Sequence, residues 1–163
     1  MSIKMKNKDK VILVHGVFQN SFFGEIKKRK CRNVFVMEGR PSLKAARSNC
    51  RGLQKVKLIP TVMADNMAGF LFYNALVQEV WLSYCVKDQT SALCDVGASI
   101  LSILAKRHSV DVTLYPGPAP ARMLGTQKEI TSFMGQGVAP KNIRGYVPLY
   151  EWISLKKVRK IYD

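Results

Sequence analysis

Four short apolar runs end in reactive side chains: His15-Gly16 after VILV, Glu38-Gly39-Arg40 after VFVM, Asp65-Asn66 after TVMA, and Tyr84-Cys85 after VWLS. A histidine, two carboxylates, a guanidinium and a thiol are the groups that proton transfer and phosphate recognition use. Arg40 offers a planar fork of donors that matches a phosphate, and Lys44 and Arg47 follow it in VMEGRPSLKAARSNC, residues 36–50. The ligand-binding candidates are therefore Glu38, Arg40, Lys44, Arg47 and Asp65. The catalytic candidates are His15, Asp65 and Cys85. Each has a structural reading beside the chemical one. Glu38 and Arg40 can pair with each other or with Asp65. Asp65 can cap a helix, and His15 before Gly16 can be a satisfied turn residue. Cys85 can be a plain buried thiol, because only Lys87 lies near enough in sequence to lower its pKa. No G-x-G-x-x-G, Walker loop, G-x-S-x-G or H-E-x-x-H is present. Nicotinamide, nucleotide-hydrolase and zinc-protease chemistry thus has no motif behind it, and no cofactor or metal is expected.

These residues need elements to position them. Strands are predicted at Lys10–His15, Asn33–Glu38, Thr61–Ala64, Val80–Val86 and Val110–Tyr115. Several are β-branched and apolar on both faces, as in a parallel sheet covered on both sides. Helices are predicted between them at Gln19–Lys30, Ser42–Lys55, Asn66–Val77 and Ser91–Arg107. In the second, Leu43, Ala46, Cys50, Leu53 and Val56 repeat at helical spacing, with Lys44, Arg47, Arg51 and Lys55 on other faces. In the fourth, Leu93, Val96, Ile100, Ile103 and Leu104 do the same. Ser42, Asp65 or Asn66, and Ser91 are the expected caps of the second, third and fourth helices. The third, NMAGFLFYNAL, is apolar nearly all round, which suits burial or a contact with another subunit. Beyond the rigid turn PGPAP the pattern weakens. A short helix at Thr126–Met134, a loop over Gly135–Gly145 and an edge strand or short helix in ISLKKVRKIYD are expected. The alternation predicts an α/β fold: a Rossmann-like three-layer domain with a mostly parallel sheet flanked by helices and right-handed crossovers. In such a sheet, ligands sit beyond the carboxyl ends of the strands, where helix N-termini also favour anions.

The 163 residues fit one domain, and 47% apolar with 23% charged residues is globular composition. The charge is unusual: 26 Lys and Arg against 11 Asp and Glu give +15. An acidic partner follows as an expectation, whether a phosphorylated small molecule, an acidic protein or RNA. The excess clusters at Lys4, Lys6, Lys8 and Lys10, at Lys27–Lys30, and at Lys156–Lys160. Residues 1–9 are expected to form a basic tail on a single domain. Cys31, Cys50, Cys85 and Cys94 lack C-x-x-C spacing, so reduced thiols in a cytoplasmic protein are expected, with neither disulfides nor zinc. MSIKMKNKDKVILVHGVF leads to no small-residue cleavage site, and no run approaches the ~18 apolar residues of a membrane span.

The order of the pieces resembles a known family. VFVMEGRPSLKAAR is similar to the strand-E-x-R-P-x-x-x-G-x-R segment of the initiation factor 2B regulatory subunits and of the methylthioribose-1-phosphate and ribose-1,5-bisphosphate isomerases. IPTVMADNMAG resembles the family's I-P-V-T-x-I-x-D-x-x-A. GASILSILAKRHSVDVTLYPG resembles its G-T-x-x-L-A-x-L-A-K-x-H-x-V-P-F-Y-V. YVPLYEWIS resembles its N-P-x-Y-D-x-x-P, with Glu151 in place of aspartate. The similarity runs from about Lys10 to Ile153. It implies the family's Rossmann-like C-terminal domain, usually dimeric, without the helical N-terminal domain, and it makes Glu38-Gly39-Arg40-Pro41 a corner of the ligand pocket.

The departures bear on activity. The resemblance implies a catalytic cysteine in a T-H-C-N-like sequence after the first strand; here Gly16 follows His15. It implies a catalytic aspartate in G-A-D-R; the aligned run is Leu82-Ser83-Tyr84-Cys85, with Tyr84 at that position. The substrate-holding N-G-D and N-K align with Gln89-Thr90-Ser91 and Cys94-Asp95, and a pocket glutamine aligns with Lys44. Aldose–ketose isomerisation needs an acid and a base within reach of the exchanging atoms, which glycine and tyrosine do not supply. The expectation is a divergent, non-catalytic binding domain, as a homodimer, for a phosphorylated ligand or an acidic partner. The alternative is a sugar-phosphate aldose–ketose isomerase with His15, Glu38, Asp65 or Cys85 in new roles.

Overall fold

A computed structural model describes residues 11–31 and 33–163. The expected basic tail and Lys10 at the head of the first strand lie outside the described residues. In chain order the elements are β1 (Val11–His15), α1 (Asn20–Lys28), β2 (Asn33–Met37), α2 (Lys44–Lys55), β3 (Thr61–Met63), α3 (Ala68–Tyr73), β4 (Val77–Lys87), β5 (Ser91–Asp95), α4 (Ala98–Arg107), β6 (Asp111–Pro116), α5 (Gln127–Thr131), β7 (Ser132–Phe133), β8 (Gln136–Gly137), β9 (Tyr150–Ser154) and β10 (Lys160–Ile161).

The parallel part of the sheet runs β3-β2-β1-β4-β6-β10. Chain order reverses between β1 and β4, so a crevice opens at the carboxyl ends of those two strands. Both faces are covered, as the apolar strands predict. One core holds Ile12, Val14, Val34, Val36 and Trp81 against Phe22, Phe23 and Ile26 of α1 and Leu53 of α2. The other holds Leu13, Met37, Val80, Leu82 and Leu114 against Leu71 and Phe72 of α3 and Leu101 and Ala105 of α4. The α1–α2 contact depends on Gly52, since a Cβ there would meet ring atoms of Phe23 at 2.2 to 2.5 Å.

The structure corrects the fourth helix. Ser91–Asp95 is strand, and the helix begins only at Ala98, behind Gly97. The Asp88 carboxylate accepts the backbone N–H groups of Thr90 and Ser91, 2.7 Å each, and turns the chain back on itself. β5 then pairs antiparallel with the end of β4 and with β9. The turn is an Asx motif, which the helical reading of Ser91 as a cap overlooked. The apolar stripe was also misassigned: Ala98, Leu101, Ser102 and Ala105 are buried, whereas Ile100 is 65% and Ile103 is 53% exposed. The third helix is shorter than expected and half exposed, with Leu71 and Phe72 inside and Phe70 and Tyr73 outside. The tail contains both expected forms in turn: β9, a short 3-10 turn at Leu155–Lys157, then β10. Among the described residues no helix is long and apolar enough to cross a membrane.

Candidate functional site

A cavity of about 590 Å³ opens where the strand order reverses, over the carboxyl ends of the sheet. Its floor is His15-Gly16-Val17 at the end of β1, Cys85 of β4 and Asp95-Val96 at the end of β5. One wall is the β2–α2 corner and the exposed face of α2. The opposite wall is the segment after β6, with Arg122, and Tyr150 at the start of β9. Arg40, Lys44, Arg47, Arg51, Lys55 and Arg122 line it, against Asp95 as the only lining carboxylate among the described residues. Such a field favours an anion, and a phosphate above all.

The β2–α2 corner is held from behind. Asp65 Oδ1 accepts the Gly39 N–H at 3.0 Å, and Oδ2 accepts the Arg40 N–H at 2.7 Å. Asp65 is therefore no helix cap; its carboxylate holds the corner from a position 26 residues on. Arg40 pairs with neither Glu38 nor Asp65: its guanidinium lies 4.2 Å from the Phe133 ring centroid, and it lines the cavity. Burial and then the Asp65 charge push the Glu38 carboxyl above its ordinary value, with Arg40 opposing. The Ser42 hydroxyl accepts the Lys44 N–H at 3.3 Å, and Leu43 at φ 58° sets the entry to α2.

The floor is a buried polar cluster. His15 is 2% exposed, and its Nε2 sits 2.9 Å from the Val96 carbonyl. A carbonyl only accepts, so Nε2 carries a proton. Nδ1 of the same ring is buried without a hydrogen-bond partner among the described residues. Ser83 Oγ donates to Asp95 Oδ2 at 3.2 Å. Burial raises the pKa of Asp95, while His15, the Ser83 hydroxyl and the Val17 N–H oppose the shift. Asn49 ties α2 to this floor: its Nδ2 donates to the Gly16 carbonyl at 2.8 Å, and its Oδ1 accepts the Phe18 N–H at 3.4 Å. Glu151 supports the far side, where Oε1 accepts the Gly97 and Ser99 N–H groups at 2.7 and 2.9 Å at the head of α4.

Cys85 lines the cavity as a thiol. Burial, aided by the Asp95 charge, pushes its pKa up to about 11. At pH 7 the thiolate fraction is then on the order of one in 10⁴. Iodoacetamide labelling of Cys85, followed by peptide mass mapping, should be slow at pH 7 and rise about tenfold per pH unit toward pH 11. A phosphorylated ligand in the cavity should protect it. A labelling plateau below pH 9 would show that Cys85 is a low-pKa nucleophile.

Comparison with known proteins shows what the chain is similar to. A methylthioribose-1-phosphate isomerase of Thermus thermophilus is 29% identical over 137 residues, covering 75% of this chain and 41% of that protein. That of Koribacter versatilis is 28% identical over 143 residues, covering 78% and 40%. Among solved structures, 5-methylthioribose 1-phosphate isomerase from Pyrococcus horikoshii OT3 superimposes with a TM-score of 0.81 at 18% identity, over 94% of this chain and 49% of that one. The translation initiation factor eIF-2B, subunit delta, from A. fulgidus gives 0.80 at 16% identity, over 96% and 52%. This chain is similar over about three quarters of its length to methylthioribose-1-phosphate isomerases, and it shares its fold with an initiation factor 2B subunit. It spans about two fifths of the length of the curated relatives it matches. No protein-family model matches it.

Against the pattern that the resemblance implies, the site has two particular features. The position implied for the cysteine is Gly16, at φ +89°, where a Cβ would fall 2.0 Å from Ser83 Oγ and 2.7 Å from Asp95 Oδ2. The position implied for the aspartate is Tyr84, whose hydroxyl donates to the Tyr162 carbonyl at 2.9 Å and lies 3.2 Å from Asp163 Oδ1, outside the cavity lining. Of the residues singled out from the sequence, His15, Arg40, Lys44, Arg47 and Cys85 line the cavity, whereas Glu38 and Asp65 do not. Asp65 lines a smaller, mainly apolar cavity of about 380 Å³ with Met37, Gly97 and Ile100. Sequence reasoning missed Asn49, Arg51, Lys55, Arg122 and Tyr150 as parts of the site, and read Asp95 as a helical residue. Among the described residues no group of three or more His, Cys, Asp or Glu is arranged to hold a metal.

Proposed function

We propose that this chain is a binding domain of the family that holds a phosphorylated small molecule without isomerising it. The observation that carries this reading is the cavity over the strand ends, where Arg40, Lys44, Arg47 and Arg122 face one carboxylate. Arg40 and Lys44 would hold the phosphate at the head of α2, and Arg122 would face it from across the cavity. The filled space at Gly16 supports the non-catalytic half, because a family-type thiol there would have to displace the Ser83 and Asp95 side chains. A homodimer belongs to the same reading, with Phe70 and Tyr73 of α3 and Ile100 and Ile103 of α4 as exposed apolar surface. Calorimetric titration tests the ligand. Methylthioribose-1-phosphate should bind saturably and without turnover, and unphosphorylated methylthioribose should bind far more weakly. Equal affinity for the two sugars, or none for either, would remove the reading.

One observation favours isomerisation instead. A thiol and a carboxylate, Cys85 and Asp95, line the same cavity beside His15. Both have raised pKa values, so both can be protonated donors more readily than free groups. On this reading methylthioribose-1-phosphate is converted to its ketose, and Asp95→Asn lowers kcat by about 10²-fold or more, the scale of a lost general acid or base. Absence of any turnover at saturating ligand leaves the binding reading alone.

A further inference from the structure

The cationic lining is longer than one phosphate group requires. Lys44, Arg47, Arg51 and Lys55 recur at spacings of three and four along one face of α2, and all four line the cavity. With a rise of 1.5 Å per residue, the row is about 16.5 Å long. All four side chains are exposed, and none forms an ion pair among the described residues. Asn20 and Phe23 of α1 line the cavity beside Arg51, Gly52 and Lys55, and Lys27 follows one turn beyond Phe23. Arg51 and Lys55 stand two and three turns from Lys44, away from the head of the helix where a small phosphate would sit.

Charge and spacing decide what fits a row of this kind. A phosphate monoester brings at most about two negative charges to one point. A strand brings one charge per about 3.4 Å of axis when stacked in a duplex and spaces them more widely as a single strand, so about four phosphates match a row of this length. Four cations at intervals of three or four residues match a line of single charges better than a point. The chain's net charge of +15 and pI near 9.9 supply the surrounding field. Tyr150 adds an aromatic ring to the same lining, and Arg40 stacks on Phe133 at the same corner; a base can stack on surfaces of this type.

We propose that the α1–α2 groove binds single-stranded RNA through its phosphodiester backbone, over a tract of about four or five nucleotides. Recognition is electrostatic and independent of base sequence, with the α2 row as the rail. This goes beyond the small-ligand reading and does not depend on it.

The test is fluorescence anisotropy of the full chain with labelled decauridylate across a salt series. Four phosphate contacts on a single strand predict a slope of log affinity against log salt of about −2.8. Arg51→Gln with Lys55→Gln should reduce its magnitude by about 1.4, two contacts of four. A decathymidylate arm with the same slope shows that the phosphodiester is what is read. No binding at low salt overturns the proposal, as does a slope unmoved by the double variant. A polyglutamate peptide binding as tightly, and losing the same slope, would make the groove an acidic-protein surface and overturn it too. Methylthioribose-1-phosphate is titrated in parallel. If the double variant weakens that ligand and the RNA by the same factor, the cavity is one small-ligand site and the rail fails. If RNA binds while the sugar phosphate does not, the small-ligand reading fails and the rail stands.

Discussion

Replacing Arg40 and Lys44 together by alanine should weaken methylthioribose-1-phosphate binding at least about 100-fold. Each would contribute a charge-assisted hydrogen bond, a contact worth roughly 1.5–3 kcal/mol, so the pair represents roughly 3–6 kcal/mol. A factor of ten in affinity corresponds to about 1.4 kcal/mol. The fold should be little affected. Lys44 is an exposed lysine at the start of α2, and Arg40 contributes a stacking contact with half-buried Phe133 worth about 1 kcal/mol. For a chain of this size that corresponds to a melting shift of only about 2–4 °C. Calorimetry and thermal denaturation on the same samples separate the two effects. Unchanged affinity with a larger fall in melting temperature would make Arg40 a structural residue and remove the phosphate from the corner. Calorimetry in rising salt gives a second check. The affinity should weaken with ionic strength, because exposed charges are screened over about 10 Å at 0.1 M.

The parallel half of the fold was legible because its signals are local. VILVH is buried along its whole length, so an unbroken apolar run meant a central strand covered on both sides. The same logic fixed β2 and β6 and, through their alternation with helices, the reversal of strand order where the cavity forms. The antiparallel part was not legible, because two signals competed in residues 88–107. Leu93, Val96, Ile100, Ile103 and Leu104 have helical spacing, yet Leu93 sits in β5 and Ile100 and Ile103 face outward. What decided the structure is a four-residue turn held by Asp88 and a partner strand, β9, that lies more than fifty residues on. No periodicity carries that information.

The site shows the same division. Reading strand ends located His15, Arg40 and Cys85, since the end of a parallel strand is a place and not a contact. Asp65 failed that rule because its partners, the Gly39 and Arg40 N–H groups, belong to a different crossover. Asn49 carried a readable signal that was missed. It lies four residues after Ala45 and four before Leu53, on the buried face of α2, where a polar side chain must find partners. Arg51 and Lys55 were visible as the polar face of an amphipathic helix. Only the packing of Gly52 against Phe23 shows that this face borders a cavity rather than open solvent.

Restoring the family's thiol should fail, and the failure should be structural. In Gly16→Cys, the new Cβ would stand 2.0 Å from Ser83 Oγ and 2.7 Å from Asp95 Oδ2, at a backbone φ of +89°. Overpacking a tight site costs roughly 1–3 kcal/mol, and placing a side chain in this backbone region adds roughly 1–2 kcal/mol. The sum, roughly 2–5 kcal/mol, is a large fraction of the roughly 5–15 kcal/mol that holds a typical domain together. A denaturant midpoint well below that of the natural protein is expected, with no gain of isomerase turnover. Ser83→Gly in the same chain should return part of the loss, because Ser83 supplies the nearest obstructing atoms; independent effects would simply add. A Gly16→Cys protein that kept its midpoint and converted methylthioribose-1-phosphate would mean that the cavity floor has room for a nucleophile. The divergence at Gly16 would then be a single reversible substitution. The opposite result would make it part of a floor rebuilt around Ser83 and Asp95, with Arg40 kept at the corner and the space for the thiol closed.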